Sequence, residues 1–530
     1  MSAKNERQSF LSGAAILAVA VVIVKLIGAV YLIPVNNILG SEGKTYFRGA
    51  WNIYNVLLAF SVSGFPLAIS KLTSEAQALG RENEKRRLFN TALWLFLGLG
   101  LFGSLFMYFG ASQLAAFMNE PHSYWSMKAL APAVFCVCLL ACMRGYTQGQ
   151  GNMKPTAVSQ VLEVTIKLVV GLPLAWYLLQ MGRGMAVGAA GAVFGISVSE
   201  VLALLYLIFC LVRSRDTVQS ADVPPSRRAL LRKILALGIP ITLSGSAMSI
   251  ITLIDMKIVL GRLDSIHTLL SSTPAMLYGQ YSFSLDLFNL PPSFVFPVSM
   301  SLIPAVADAV AQHNAHRANK IVSSAFRLVA MLALPAGVGL SVLAGPILLL
   351  LYPAQKADAI AAAPHLEVLG IASVFVCLMV LTNAILQSYG KQMIPIYTMI
   401  VGGLVKIGMN YVLVGNPDIN IQGAPVSTLC CYLVIAGLNL FFVNRTLEEK
   451  PRYLKLFFKP VLAAAVMGVV VHYAFLLLTP HLGNSLSALG GVALGVLVYL
   501  FLVIQLRMIT AEDLQTVPHG AKLSRILRIK

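Results

Sequence analysis

Charge is what this sequence has least of. Only 11% of its 530 residues are Asp, Glu, Lys or Arg, against about 25% in a soluble domain. That scarcity excludes a water-soluble globular chain. With 58% hydrophobic residues and a mean hydropathy of +0.79, the sequence reads as a polytopic membrane protein. Cysteine is scarce too: Cys136, Cys138, Cys142, Cys210, Cys377, Cys430 and Cys431 all lie in apolar runs. None forms a CxxC pair, which argues against a disulfide framework or metal site and leaves them as small core hydrophobes. Acids are the rarer sign, 21 against 39 basic residues, for a net charge of +18. In a soluble domain that excess would suggest nucleic acid. Here the basic residues sit in short loops, where they set orientation and meet anionic lipid, so no nucleic-acid partner is expected.

Long apolar runs are what the chain does have. A spanning helix needs roughly 20 mostly apolar residues, and fourteen runs qualify. They begin near Phe10, Tyr46, Leu88, Trp125, Pro155, Met185, Ala229, Ala275, Ala318, Ile360, Met393, Gln422, Lys455 and Ser485. The first is too long for a signal peptide's apolar region and reads as a retained helix interrupted by Lys25. The runs are continuous rather than alternating, which excludes a β-barrel. Alternate loops, counted from the N-terminus, hold 26 Lys and Arg, while the intervening loops hold only Lys44, Arg48, Lys128, Arg183, Arg262 and Lys356. This alternation predicts a multi-pass protein of the bacterial plasma membrane with both termini cytoplasmic.

The expected fold class is all-α polytopic: 14 transmembrane helices arranged as two pseudo-symmetric six-helix bundles plus two C-terminal helices. The expected boundaries are an N-terminal lobe 1–213, a cytoplasmic linker 214–228 and a C-terminal lobe 229–446. Two additional helices over 447–510 and a basic cytoplasmic tail 511–530 complete the chain. The repeat shows in short matches. Gln148-x-x-Gly151 precedes Pro155 and Lys167, as Gln387-x-x-Gly390 precedes Pro395 and Lys406. Pro66-Leu-Ala-Ile-Ser70 is answered by Pro297-Val-Ser-Met-Ser301. Repeated halves with a site at their interface are a common plan among secondary transporters.

The residues that carry chemistry are charges inside the spans. Arg144 precedes a Gly/Gln/Asn turn, and Pro155 opens the helix that carries Glu163 and Lys167, four residues apart with the acid first, on one helix face. Such charges are costly at membrane depth and mark a functional pathway by default; a buried ion pair that only fixes packing is the bland alternative. Asp255 and Lys257, two apart, point to different faces. Asp255 either pairs with Lys25 or binds a coupling ion, and Asp286 joins it as a coupling or gating candidate. Glu200 and Glu367 are assigned to packing, and the prolines at 291, 292, 297 and 304 are expected to bend their helix. No catalytic residue, metal site or cofactor is expected, and a Gly98-x-Gly-x-x-Gly103 match inside a span, with no adjoining strand, is accidental.

The stretches Gly64-Phe-Pro-Leu-Ala-Ile-Ser70, Arg144-Gly-Tyr-Thr-Gln-Gly through Pro155-Thr-Ala-Val-Ser-Gln160, Leu237-Gly-Ile-Pro240, Tyr278-Gly-Gln-Tyr281 and Leu302-Ile-Pro304 carry a family likeness. The chain resembles the polysaccharide-biosynthesis branch of the multidrug/oligosaccharidyl-lipid/polysaccharide exporter superfamily, which contains stage V sporulation protein B and MurJ-type lipid II flippases. It departs from MurJ-type flippases in having Lys25 rather than several arginines in the first span, and Ala307-Asp308 where the branch tends to have Ser-Glu. The resemblance implies a flippase, not an enzyme, that moves an undecaprenyl-diphosphate-linked sugar from the inner to the outer leaflet. A diphosphate needs fixed cations to offset its desolvation. Lys25, Arg48 and Lys167 are expected to line its cavity, with Arg144 and Lys257 on the pathway. Anionic lipids and a coupled Na⁺ or H⁺ are the other expected partners. The rival reading is a multidrug or cation antiporter of the same superfamily, kept open by the buried acids.

Overall fold

In a computed structural model the described residues are 3–62, 64–213 and 220–508, so the expected tail 511–530 lies outside them. The described residues are helical, with no strand among them. Their contacts separate two units, Met1–Gly279 and Gln280–Lys530.

The first unit contains α1 (Ala3–Val62), α2 (Phe65–Ala78), α3 (Glu82–Phe109), α4 (Ala111–Phe117), α5 (Tyr124–Gly149), α6 (Lys154–Ile166), α7 (Leu172–Gln180), α8 (Met185–Arg213) and α9 (Arg227–Ser265). A helix α10 (Pro274–Phe288) carries the boundary. The second unit continues with α11 (Leu290–Ala311), α12 (Ala315–Val342), α13 (Ala344–Leu351), α14 (Lys356–Ser388), α15 (Met393–Leu413), α16 (Gly423–Thr446) and α17 (Tyr453–Gln505). The expected boundary lay in the linker 214–228. The structure divides the chain later, because α9, which follows the linker, packs on α1, α2 and α3.

Each unit is built around one helix. In the first it is α5, which packs against α1, α2, α3 and α8. Its small residues allow this: a Cβ on Gly145 would lie 2.7 Å from Pro66 O, so α2 approaches α5 backbone to backbone. Membrane helices associate through such small-residue contacts because lipid supplies no hydrophobic drive between them. In the second unit α14 takes the central place among α11, α12 and α16, while α17 packs on α12 and α13. Large apolar side chains such as Trp94, Phe102, Phe109, Leu404 and Leu497 are exposed on the outside of their helices, as a lipid solvent permits.

Eleven helical segments among the described residues are long and apolar enough to cross a membrane, where the sequence led us to expect fourteen. Part of the difference lies in α1 and α17, each of which spans two of the expected runs. Both break at a glycine with positive φ, Gly40 (φ 61°) and Gly483 (φ 70°), a conformation that side-chain-bearing residues avoid. The break at Gly40 corrects the expectation for Lys44 and Arg48. They are not in an outer loop but in the second helical segment of α1, with Lys44 only 2% exposed and its ammonium 5.7 Å from the centre of the Phe47 ring.

The described part of the linker docks on α3. Asp222 accepts from the backbone N–H of Asn83 (3.0 Å) and Glu84 (2.9 Å), and Asn83 Nδ2 donates to the carbonyls of Ser220 and Asp222. The free N–H groups at the start of α3 are thereby satisfied by a carboxylate at the positive end of the helix dipole.

Candidate functional site

The site grows from a tight turn. Helix α5 ends at Gly149, Gly151 adopts φ 78°, and the N–H of Asn152 returns to Thr147 O at 3.0 Å. Pro155 then opens α6 within its first turn, where a missing N–H costs nothing. Ser74 Oγ clamps the turn from α2 by donating to Gly149 O (2.7 Å). The reversal lays α6 beside α5 and brings residues 15 and 19 positions apart into contact. Arg144 Nε donates to Ser159 Oγ (3.0 Å), and Arg144 Nη2 lies 2.7 Å from Glu163 Oε1.

Two further elements complete the cluster. On α8, Glu200 is buried, lies within electrostatic range of Glu163 and Arg144, and accepts from Tyr54 Oη of α1 at 3.4 Å. After Ile166 the helix relaxes into one π-helical turn, Lys167–Gly171. At its first residue the Lys167 ammonium sits 4.7 Å from the centre of the Tyr31 ring, whose hydroxyl donates to Ala192 O (3.4 Å). π-turns interrupt regular helices frequently at functional positions. The chemistry assembled is two cations and two carboxylates with two tyrosines, held by four helices of one unit.

The expectation is revised in two respects. Arg144 was expected on the substrate pathway beside a Glu163–Lys167 pair; instead it is Arg144 that clasps Glu163, while Lys167 turns to an aromatic face. Glu200, assigned to packing, belongs to the charged cluster. With Ser159, Tyr31 and Tyr54, it is what sequence reasoning missed. The available signal was its place on α8, which has no other acid or base before Arg213.

The other expected site residues lie elsewhere. Lys25 is exposed on α1 and takes no part in the cluster; Arg48 is half-buried on the same helix. On α9, Asp255 is buried, whereas half-buried Lys257 lies 3.7 Å from the centre of the Phe117 ring and receives a long hydrogen bond from Asn119 at its carbonyl (3.5 Å). A polar cleft of about 130 Å³ opens between α1 and α9, lined by Asn52, Asn55, Met248, Ser249 and Thr252. Asp286 is buried in the second unit, and Glu367 is exposed. Among the described residues no group of three or more His, Cys, Asp and Glu side chains is placed to hold a metal ion.

The second unit carries a counterpart at a constant offset of 239 residues. Gly151 corresponds to Gly390 (φ 73°), and the helix start at Lys154 to that at Met393. Arg144, Ser159, Lys167 and Glu200 correspond to Asn383, Thr398, Lys406 and Asn439. There Thr398 Oγ1 donates to Asn439 Oδ1 (2.7 Å) and Asn439 Nδ2 to Asn383 Oδ1 (2.7 Å). The same three helices are thus tied by charges in one unit and by neutral amides and a hydroxyl in the other.

Comparison with known proteins places these features. The family model described as "Polysaccharide biosynthesis protein" matches residues 10–310, and the MatE model matches 240–412. The membrane protein YabM of Bacillus subtilis (strain 168) is 28% identical, over 99% of this chain and 97% of that protein. Stage V sporulation protein B of the same organism is 23% identical over 97% and 98% of the two chains, and its lipid II flippase MurJ 24% over 87% of each. The solved inward closed conformation of a lipid II flippase MurJ shares the fold with a TM-score of 0.68 at 16% identity, over 93% of this chain and 98% of that one.

Proposed function

Since the chain belongs to the polysaccharide biosynthesis protein family of the multidrug/oligosaccharidyl-lipid/polysaccharide exporter superfamily, we propose that it is a flippase. Its cargo in this reading is an undecaprenyl-diphosphate-linked cell-envelope precursor, a lipid II-like peptidoglycan precursor or a polysaccharide repeat unit. It moves that cargo from the inner to the outer leaflet by alternating access. We read the frame as fourteen spans, two six-helix sequence repeats (1–213 and 229–446, the second opened by α9, which packs on helices of the first) and a final pair, with cytoplasmic termini. The offset of 239 residues between 144–200 and 383–439 supports that repeat over α5, α6 and α8.

The observation that carries the reading is the charged cluster of α5, α6 and α8. Four ionisable side chains among apolar spans are costly to hold there, and such groups mark a functional pathway by default. Glu163 engages Arg144 directly, and Lys167 is the compact cation set on a helical irregularity beside them. In this reading Lys167, with Lys25 and Arg48, meets the diphosphate, while Asp255 and Asp286 are the candidates for a coupling ion or gate. Moving negative charge outward across an inside-negative membrane gains about 2.3 kcal/mol per charge per 100 mV, so no nucleotide is needed to drive it.

The test is flipping of a fluorescent lipid-linked sugar diphosphate in vesicles containing the purified protein. Lys25→Ala, Arg48→Ala and Lys167→Ala should each slow flipping about tenfold, the worth of one charge-assisted hydrogen bond. Wild-type rates in all three would sink the assignment. The second reading, a cation antiporter, draws on Glu163 and Glu200 and on the MatE match; dye efflux driven by a Na⁺ or H⁺ gradient, without lipid flipping, would establish it.

A further inference from the structure

At Gly483 the helix α17 folds back, so its first and last turns lie side by side. Lys459 Nζ donates to Leu506 O across this gap at 2.8 Å. The feet of this hairpin and α12 border an open cavity of about 600 Å³. Its lining comprises Arg327, Lys455, Lys459 and Arg507 together with Leu454, Leu456, Phe458, Pro460 and Met508. Four cations and no acid line it, on the face where the basic loops concentrate. Leu454 (85% exposed) and Phe458 (64%) stand beside the cations, offering apolar surface to a chain rather than to water.

A second observation concerns how Arg507 is held. The last turn of α17 closes with Met508 N–H on Val503 O (3.0 Å) and Arg507 N–H on Ile504 O (3.1 Å), the pattern of a left-handed helix end. Arg507 therefore sits at φ 48°, a place usually filled by glycine or asparagine. An arginine at this position thus places a guanidinium at the cavity's edge at a cost in backbone energy that glycine would not incur.

We propose that this cavity binds the phosphate of an anionic phospholipid, its headgroup among Arg327, Lys455, Lys459 and Arg507 and its acyl chains along Leu454 and Phe458. A phosphate matches the fork of an arginine and the point charge of a lysine. The apolar border of the cavity favours a lipid over soluble phosphate as its source. The site lies within the second unit and does not depend on what the protein flips.

The test uses the full-length protein in detergent, titrated with short-chain phosphatidylglycerol, short-chain phosphatidylcholine or inorganic phosphate, with bound species read by native mass spectrometry. Wild type should retain phosphatidylglycerol at concentrations where phosphatidylcholine and inorganic phosphate leave no adduct. Each cation removed (Lys455→Gln, Lys459→Gln, Arg507→Gly) should weaken that binding about fivefold. Arg507→Gly is the decisive variant, since it relaxes the backbone while removing the charge. Lipid binding should fall while the melting temperature holds or rises, which a purely structural role does not predict. Equal binding of the two lipids, displacement by equimolar inorganic phosphate, or unchanged binding in Arg507→Gly and Lys459→Gln would overturn the proposal.

Discussion

Glu200 and Asn439 occupy the same station in their two units, 239 residues apart, and each meets partners from neighbouring helices. Glu200 receives the Tyr54 hydroxyl and adjoins Glu163; Asn439 joins Asn383 and Thr398 through its amide. The frame of α5, α6 and α8 recurs in α14, α15 and α16, but the chemistry at its centre does not. Charge at this station is therefore not a requirement of the packing, since the second unit packs without it.

The Arg144–Glu163 pair is buried enough for the loss of one partner to be felt, with side chains 15% and 18% exposed. Glu163→Ala leaves a guanidinium without its carboxylate and should destabilise by about 3 kcal/mol. Arg144→Met with Glu163→Met should recover most of that loss, because paired charges exchanged together for apolar side chains cost little. Thermal unfolding of Arg144→Met, Glu163→Met and the double variant in detergent gives the coupling. Additive effects would show that the contact is not an energetic unit.

The Asn383–Thr398–Asn439 group should be held by its hydrogen bonds. Asn439→Ala strands Asn383 and Thr398 in a buried place and should cost about 1–3 kcal/mol. The loss should be independent of pH from about 5 to about 9, since the amides and hydroxyls of Asn383, Thr382 and Thr398 do not titrate in that range. A pH-dependent loss would show that an ionisable group shares the network.

Glu120 supplies a pH effect at the entrance to α5. It is 4% exposed; burial first, then the neighbouring Glu42 and Asp264, push its carboxyl up to about 7, against a lowering hydrogen bond from the His122 backbone. Its folded value lies above the ordinary carboxylate value, so the folded protein binds the proton more tightly. This contribution is fully present below the unfolded value and is lost as pH rises to about 7. Glu120→Gln should flatten that slope and stabilise the protein at pH 8 by up to about 3 kcal/mol. Melting curves of the two proteins at pH 5 and pH 8 decide it: parallel slopes would refute the assignment.

Asp222 should behave in the opposite sense. Desolvation raises its carboxyl, but the Ser220 hydroxyl and the N–H groups of Asn83 and Glu84 outweigh it and hold the group below its usual range. Its contribution is present above the unfolded value and disappears as pH falls through the lower folded one. Asp222→Ala should lower the melting temperature at pH 7, and the difference should close at low pH. Faster proteolysis of the linker at pH 7 is the second readout.

Composition and the length of the apolar runs made the class of fold legible, and the Gln-x-x-Gly turn followed by proline located the hairpins of both units. The starts of α6 and α15 could be read because proline and glycine act locally. Two kinds of information were not local. The clasp of Glu163 by Arg144 depends on α6 folding back along α5, whereas helical spacing alone favoured Lys167 as the partner. Glu200 looked like a packing residue because its partners, Tyr54 and Glu163, are contributed by other helices. Lys44 was read as a loop residue because Gly40-Ser-Glu-Gly-Lys-Thr45 is a polar stretch between two apolar runs, and hydropathy does not register that the helix resumes directly after the left-handed Gly40.

The turn at Gly483 gives the last two arms of the chain a common fulcrum. The arms on either side of it, 453–482 and 484–505, are roughly 45 Å and 33 Å long at 1.5 Å per residue, so a small angular error at the apex is magnified at the feet. A few degrees at Gly483 would shift Lys459 against Leu506 by more than the tolerance of a hydrogen bond. Substituting that glycine should therefore disturb the basic cavity at the far side of the bilayer while leaving every residue of the cavity in place.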